Sequence, residues 1–177
     1  MIRILWARTP IRLAIALLIL FVSQISPVWA EGKFQENPAT GCKVWNPNPQ
    51  PGESFTWTGA CKDGYLSGHG IFEWIVEEKM VERFEGIMTG GKRNGNGVYI
   101  WASGSRYEGN WVDDKRTGKG VYTGTNASGI TFRYEGNFLN NKYQGQGLMT
   151  WANGDRYEGQ WLDGNRHGKG TYVWSSG

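Results

Sequence analysis

Between Arg106 and Thr123 the chain alternates with a period of two. Tyr107, Gly109 and Trp111 fall on one side, Glu108, Asn110 and Val112 on the other; Gly118, Gly120 and Tyr122 then oppose Lys119, Val121 and Thr123. A period of two is the signature of β-strands. The stretch therefore predicts two strands of about six residues, joined by a polar turn, Asp113-Asp114-Lys115-Arg116-Thr117. The same pattern recurs. Arg106-Tyr-Glu-Gly-Asn-Trp111 returns at 133–138 with Phe138 in the last place and at 156–161 with Trp161, and Arg83-Phe-Glu-Gly86 opens a looser copy. Units begin at Thr56, Arg83, Arg106, Arg133 and Arg156, at spacings of 27, 23, 27 and 23. A short fixed period predicts an array of stacked units in place of one globular core. With no room for helix, residues 56–177 are predicted all-β, an elongated single antiparallel sheet of about five consecutive hairpins.

The departures from the repeat carry their own predictions. Cys61 stands in the first unit where Trp111 and Trp161 stand later, as expected of an atypical capping unit. The four extra residues of the first and third units fall between Trp74 and Arg83 and between Gly124 and Arg133. They predict longer strand pairs, and so a taller lip, on alternate units. The short versions place Gly104 and Gly154 where a tight hairpin wants positive φ.

Glycine weakens an ordinary strand, so its return at Gly86, Gly109, Gly136 and Gly159 needs a cause. We expect a Tyr or Trp from a neighbouring strand to lie over bare glycine backbone there, and over the pairs Gly118/Gly120, Gly145/Gly147 and Gly168/Gly170. The packing face, and the candidate binding face, would consist of Tyr107, Trp111, Tyr122, Tyr134, Phe138, Tyr157, Trp161 and Tyr172. Arg106, Arg133 and Arg156 would form one column, with Glu108, Glu135 and Glu158 in another on the same face. Exposed ion pairs of that kind contribute about 0–1 kcal/mol each; the sharper reading is a charged strip that recognises a partner.

Residues 1–30 are of a different kind. Arg3, Arg8 and Arg12 precede the apolar run Leu13–Val22, and Val28-Trp29-Ala30 offers small residues at a cut. This describes a secretory signal peptide, and the run is shorter than the roughly 20 apolar residues that a spanning helix needs. The protein is therefore expected to be exported, periplasmic or secreted after cleavage near Ala30. The whole chain carries 19 Lys+Arg against 16 Asp+Glu, but the leader holds three Arg and no acid. The remainder is neutral, without the basic excess that nucleic-acid binding wants. Residues 31–55 read as an extended, Pro-rich arm and N-terminal cap, because Pro38, Pro47, Pro49 and Pro51 fix φ and lack an N–H. Cys42 and Cys61, an even pair in an exported chain, are expected to form a disulfide that folds this arm onto the array. A metal pair would need further ligands, and no His lies near in sequence.

Catalytic chemistry finds no support. His69 and His167 are turn-region substitutions in a repeating frame, and Gly90–Gly97 lacks the ending and the following helix of a phosphate loop. No catalytic, cofactor-binding or metal-binding residue is assigned. At Arg106-Tyr-Glu-Gly-Asn-Trp111 with Thr117-Gly-Lys-Gly-Val-Tyr122, and at Arg156–Trp161 with His167–Tyr172, the chain resembles the MORN (membrane occupation and recognition nexus) repeat family. The resemblance covers residues 83–174 closely and 56–74 loosely. It implies elongated sheets of sequential hairpins used in assembly, dimerisation and membrane or phospholipid contact. The expected role is a non-enzymatic scaffold or binding module at the cell envelope, with an unidentified protein partner. Self-association through the last, unpaired strand is a further expectation. The alternative is a lipid-headgroup or glycan-binding module that uses the aromatic face.

Overall fold

The computed structural model describes residues 31–176; the leader and the cut after Ala30 lie outside the described residues. Thirteen strands and no helix make up the described chain. They are β1 (Lys33–Glu36), β2 (Lys43–Asn46), β3 (Glu53–Trp57), β4 (Ala60–Lys62), β5 (Tyr65–Val76), β6 (Lys79–Thr89), β7 (Lys92–Ile100), β8 (Arg106–Val112), β9 (Lys115–Thr125), β10 (Thr131–Leu139), β11 (Lys142–Trp151), β12 (Arg156–Leu162) and β13 (Asn165–Val173). From β5 to β13 each strand pairs antiparallel with its sequence neighbour, a meander of hairpins. The interrupted strand β3 and β4 pairs with β5 and completes a fifth hairpin at the N-terminal end.

Turn chemistry sets the register. Each hairpin within a unit closes on two residues that both hold positive φ: Asp63-Gly64, Gly90-Gly91, Asp113-Asp114, Asn140-Asn141 and Asp163-Gly164. Two positive φ values define the tight hairpin turn whose twist matches the strands, and Asn, Asp and Gly tolerate it best. The turn at Asp113 is therefore shorter than the five-residue stretch expected. Lys115, Arg116 and Thr117 already belong to β9, and Arg116 pairs with Trp111. On the opposite edge Gly104 and Gly154 hold positive φ in the short connections. The long units extend their strands to Val76↔Lys79 and Thr125↔Thr131.

Side chains of one face form the core. Phe55, Phe72, Trp74, Phe84, Tyr99, Tyr107, Trp111, Tyr134, Phe138, Tyr157 and Trp161 are all buried there, in one continuous cluster. A single sheet buries these rings because each lies on glycine. A methyl carbon at Gly109 would sit 2.6 Å from both the Gly120 Cα and the Tyr107 hydroxyl, and one at Gly120 would sit 2.5 Å from Tyr107 Cε2. The covering ring at Gly109 comes not from a neighbouring strand, as expected, but from the glycine's own strand, two residues back, and it reaches across to the next strand, where Gly120 does lie under a neighbour's ring. Phe84 covers Gly86 and Gly97, Tyr134 covers Gly136 and Gly147, and Tyr157 covers Gly159 and Gly170 in the same way.

The first glycine of each Gly-x-Gly differs from the expected ring slot. Gly118 has φ +81°, and the nearest atoms to a Cβ there belong to Asn110. Gly145 likewise faces Asn137, and Gly168 faces Gln160. These glycines permit the register shift that interrupts β8–β9, β10–β11 and β12–β13, where a bulge needs a left-handed residue. One glycine of the pair serves the backbone and the other serves the ring.

The arm is more ordered than an extended Pro-rich segment. Its first half, β1 and β2, is an antiparallel hairpin with Pro38 in its connection, and Pro47, Pro49 and Pro51 fall in the irregular chain after Asn46. Cys42 and Cys61 are joined in a disulfide, 19 residues apart in sequence. Their bond ties the hairpin to the first unit.

Candidate functional site: the aromatic face and its row of turns

Five positions repeat along the aromatic face. The glycine-covering ring is Trp57, Phe84, Tyr107, Tyr134 or Tyr157 in successive units. Where the ring has a polar end, as in all but Phe84, that end is satisfied the same way. The Tyr107 hydroxyl donates to the Asn110 carbonyl at 3.0 Å, Tyr134 to Asn137 at 3.0 Å and Tyr157 to Gln160 at 3.1 Å. Trp57 does so through its indole N–H, to Ala60 at 2.9 Å. The degenerate first unit therefore keeps the device with a different ring. Burial pushes the hydroxyls of Tyr107 and Tyr134 up to about 12, because a phenolate would lose its hydration there. Burial also raises Tyr99 and Tyr143.

The eight residues expected to form the face are all on it. Tyr107, Trp111, Tyr134, Phe138, Tyr157 and Trp161 are buried, and Tyr122 and Tyr172 pack half-exposed against them. Edge-to-face contacts link neighbours, such as Tyr107 with Phe138 at 5.0 Å and Tyr134 with Trp161 at 5.3 Å. The Arg and Glu columns lie on the other face. Arg83, Arg106 and Arg133 each pair with the Glu two residues on, at 2.7–2.8 Å, on open surface.

Sequence reasoning missed a second set of cations. Opposite the ring of Trp111 or Trp161 the next strand places Arg116 or Arg166, and Arg93 takes that place opposite Met88. Reading residues 113–117 as a polar turn hid Arg116, which belongs to β9. The only sequence signal was their constant place two residues after the turn. Arg93 stacks at 4.6 Å on both Tyr99 and Trp111. Arg116 lies 5.3–5.7 Å from Trp101, Tyr107, Tyr122 and Phe138. Guanidinium planes favour ring faces.

Each turn is also laced to the unit before it. Gly91 N–H donates to the Leu66 carbonyl, Asp114 to Arg93, Asn141 to Arg116 and Gly164 to Tyr143, at 3.0–3.1 Å. This brings the turns into one row along the edge of the face. β2 lies against the start of that row: Lys43 N–H donates to the Gly64 carbonyl at 2.9 Å and Trp45 N–H to Gly91 at 2.8 Å. Cys42, Val44 and Asn46 are buried beneath it. Asn46 is held by Glu53 and Gln35. Beyond the hairpin the face is uncovered by other described residues. Trp151 stacks on Tyr172, and Trp174 is 61 % exposed beside it.

Among the described residues no group of three His, Cys, Asp or Glu could hold a metal ion, and His69 and His167 stand far apart on β5 and β13. The fold and face define a hairpin-repeat protein of the binding type. A family model described as the MORN repeat matches residues 84–106, 107–128, 134–156 and 157–177, just over half of the chain. The chain belongs to the MORN repeat family. Such repeats generally serve in protein or membrane interaction. The Thr56 unit lies before the first match, although its strands and its ring-on-glycine contact follow the same plan. No curated protein matches the chain.

Proposed function

We propose that the protein is an exported, non-enzymatic scaffold of the cell envelope that holds an extended segment of a partner protein against its aromatic face. The observation that carries this reading is β2. The chain lays its own extended segment along the row of turns, through alternate backbone N–H groups and a buried Val44. A partner strand could use the same contacts further along the row, a known mode of peptide recognition. The leader-like first thirty residues and the Cys42–Cys61 bond support export, because disulfides persist in oxidising compartments.

Site-specific photo-cross-linking in cells tests the reading. A photoreactive side chain at Tyr122 or Trp151, on the open part of the face, should give a discrete adduct. One at Val112 or Leu139 on the opposite face should not. Equal labelling from both faces, or a protein still carrying its leader in the cytoplasm, would sink it. A second reading rests on Trp151, Tyr172 and Trp174, whose exposed rings suit a sugar or a lipid headgroup. Vesicle and glycan binding by the mature chain tests that one. Self-association through β13, exposed along nearly its whole length, is tested by light scattering; a strict monomer at high concentration removes it.

A further inference from the structure

Arg93 and Arg116 occupy equivalent places in successive units, yet only one has a counter-ion. The turn of the next unit reaches back to each. Asp114 Oδ1 accepts from the Arg93 backbone N–H at 3.0 Å and from its Nε at 2.7 Å. Asn141 Oδ1 accepts from the Arg116 backbone N–H at 2.9 Å and from its Nε at 3.4 Å. The geometry repeats and the charge does not. No carboxylate forms an ion pair with Arg116 among the described residues, although the side chain is half-buried among four rings. Burial and the nearby Arg93 both disfavour its charge. Its Nη2 donates to the Asn141 carbonyl at 2.9 Å, but a half-buried cation without an anion still carries a cost, and this position can receive one.

Three further observations say what brings it. A cavity of about 410 Å³ opens between Arg116 and the end of β2, lined by Trp45, Pro47, Trp101, Trp111 and Asp114. Within it the Arg93–Asp114 pair is neutral, and Lys115 offsets Asp113, which leaves the Arg116 charge unopposed. Asp114 Oδ2 is buried and has no hydrogen-bond partner among the described residues, so a donor reaching it would be stabilising. Finally, the series of N–H groups at Lys43 and Trp45 would continue at residue 47, which is Pro and has no N–H. The chain's own segment therefore ends at the edge of this cavity.

We propose that the cavity beside Arg116 takes an extended segment of a partner polypeptide. An Asp or Glu carboxylate of that segment lies on the Arg116 guanidinium, and its backbone N–H groups face Asp114. A bare phosphate would meet the cation but bring no donor for Asp114. A polypeptide brings both. This rests on the reading of the face as a protein-binding surface and names the chemistry of its partner.

Selection from a random decapeptide display library on the disulfide-bonded mature protein tests the inference. Wild type should recover peptides enriched in Asp or Glu at one position. Changing that residue to Asn or Gln should weaken binding by about tenfold, as expected for one charge-assisted contact. Asn141→Asp supplies Arg116 with the carboxylate that Arg93 already has, on a turn that tolerates Asp. It should fold at least as stably as wild type and lose the acidic preference, as should Arg116→Gln. Arg133→Gln on the opposite face should keep it. Binders without acidic enrichment, or enrichment that survives Asn141→Asp, would overturn the proposal while leaving the face as a peptide-binding surface. No binders at all would remove both readings. Phosphatidylserine vesicles that bind wild type but not Asn141→Asp, with no peptide selected, would assign the site to membranes.

Discussion

At the scale of the residue, glycine and tyrosine form one unit of structure. Tyr107 is fully buried because Gly109 and Gly120 present nothing but backbone to its ring. Gly120→Ala should therefore cost about 3 kcal/mol, the upper range for overpacking a filled core, since the ring cannot retreat. Gly118→Ala meets only an ordinary contact with Asn110 but requires a left-handed residue. It should cost about 1–2 kcal/mol. Equal losses in denaturant melts would contradict the division of labour between the two glycines. Much of this was legible in the sequence. The spacing of Gly86, Gly109, Gly136 and Gly159 behind a ring told that rings and glycines pack together. Which strand supplies the ring was not legible, because that depends on side-chain direction across the pleat.

At the scale of the element, turns decide more than strands. The pairs Asp113-Asp114 and Asn140-Asn141 close hairpins, and they also reach back to the preceding unit. Sequence reading placed Arg116 in a loop, since a run of charged residues after Trp111 looks like a polar turn. Only the two positive φ values at the tip shorten that turn and bring Arg116 into the strand. The N-terminal hairpin depends on a different restraint. Cys42 and Cys61 close a loop of 20 residues, for which the chain-entropy model gives about 3 kcal/mol. Cys61→Ser, or reduction, should lower stability by about that amount and free β1 and β2 from the row of turns. Hydrogen exchange should then quicken at Lys43 and Trp45 while β8 to β12 stay protected. If exchange quickens uniformly, the hairpin is integral to the array and not a clip upon it.

At the scale of the whole molecule, the buried tyrosines link folding to alkaline pH. Tyr107 and Tyr134 hold their protons to about 12, against about 10 in the unfolded chain. Between those values the folded state binds more protons, so stability is full below about pH 10 and falls as pH rises towards 12. Phenolate absorbance should rise in two stages, first from Tyr residues with exposed hydroxyls and then with unfolding. Circular dichroism should follow the second stage only. A single smooth rise at ordinary tyrosine pH, with the sheet intact, would mean the rings are far more mobile than their packing implies. The array also makes stability nearly a sum over neighbouring hairpins, so damage in one unit should spread mainly to the next.

By itself the sequence determined that this is an array of β-hairpins and how many units it has. It also determined where rings meet glycines and that Cys42 and Cys61 form a pair. Period-two alternation, fixed repeat length and turn residues are local properties, and a repeat protein is assembled from local contacts. The tertiary structure decided what the face offers a partner. The register shift at Gly118 sets Arg116 opposite Trp111, the next unit's turn brings Asn141 to it in place of an acid, and β2 stops at Pro47 beside it. Those three segments lie far apart in the chain. Only the folded sheet brings one unpaired charge, one orphaned acceptor and one open cavity to the same place.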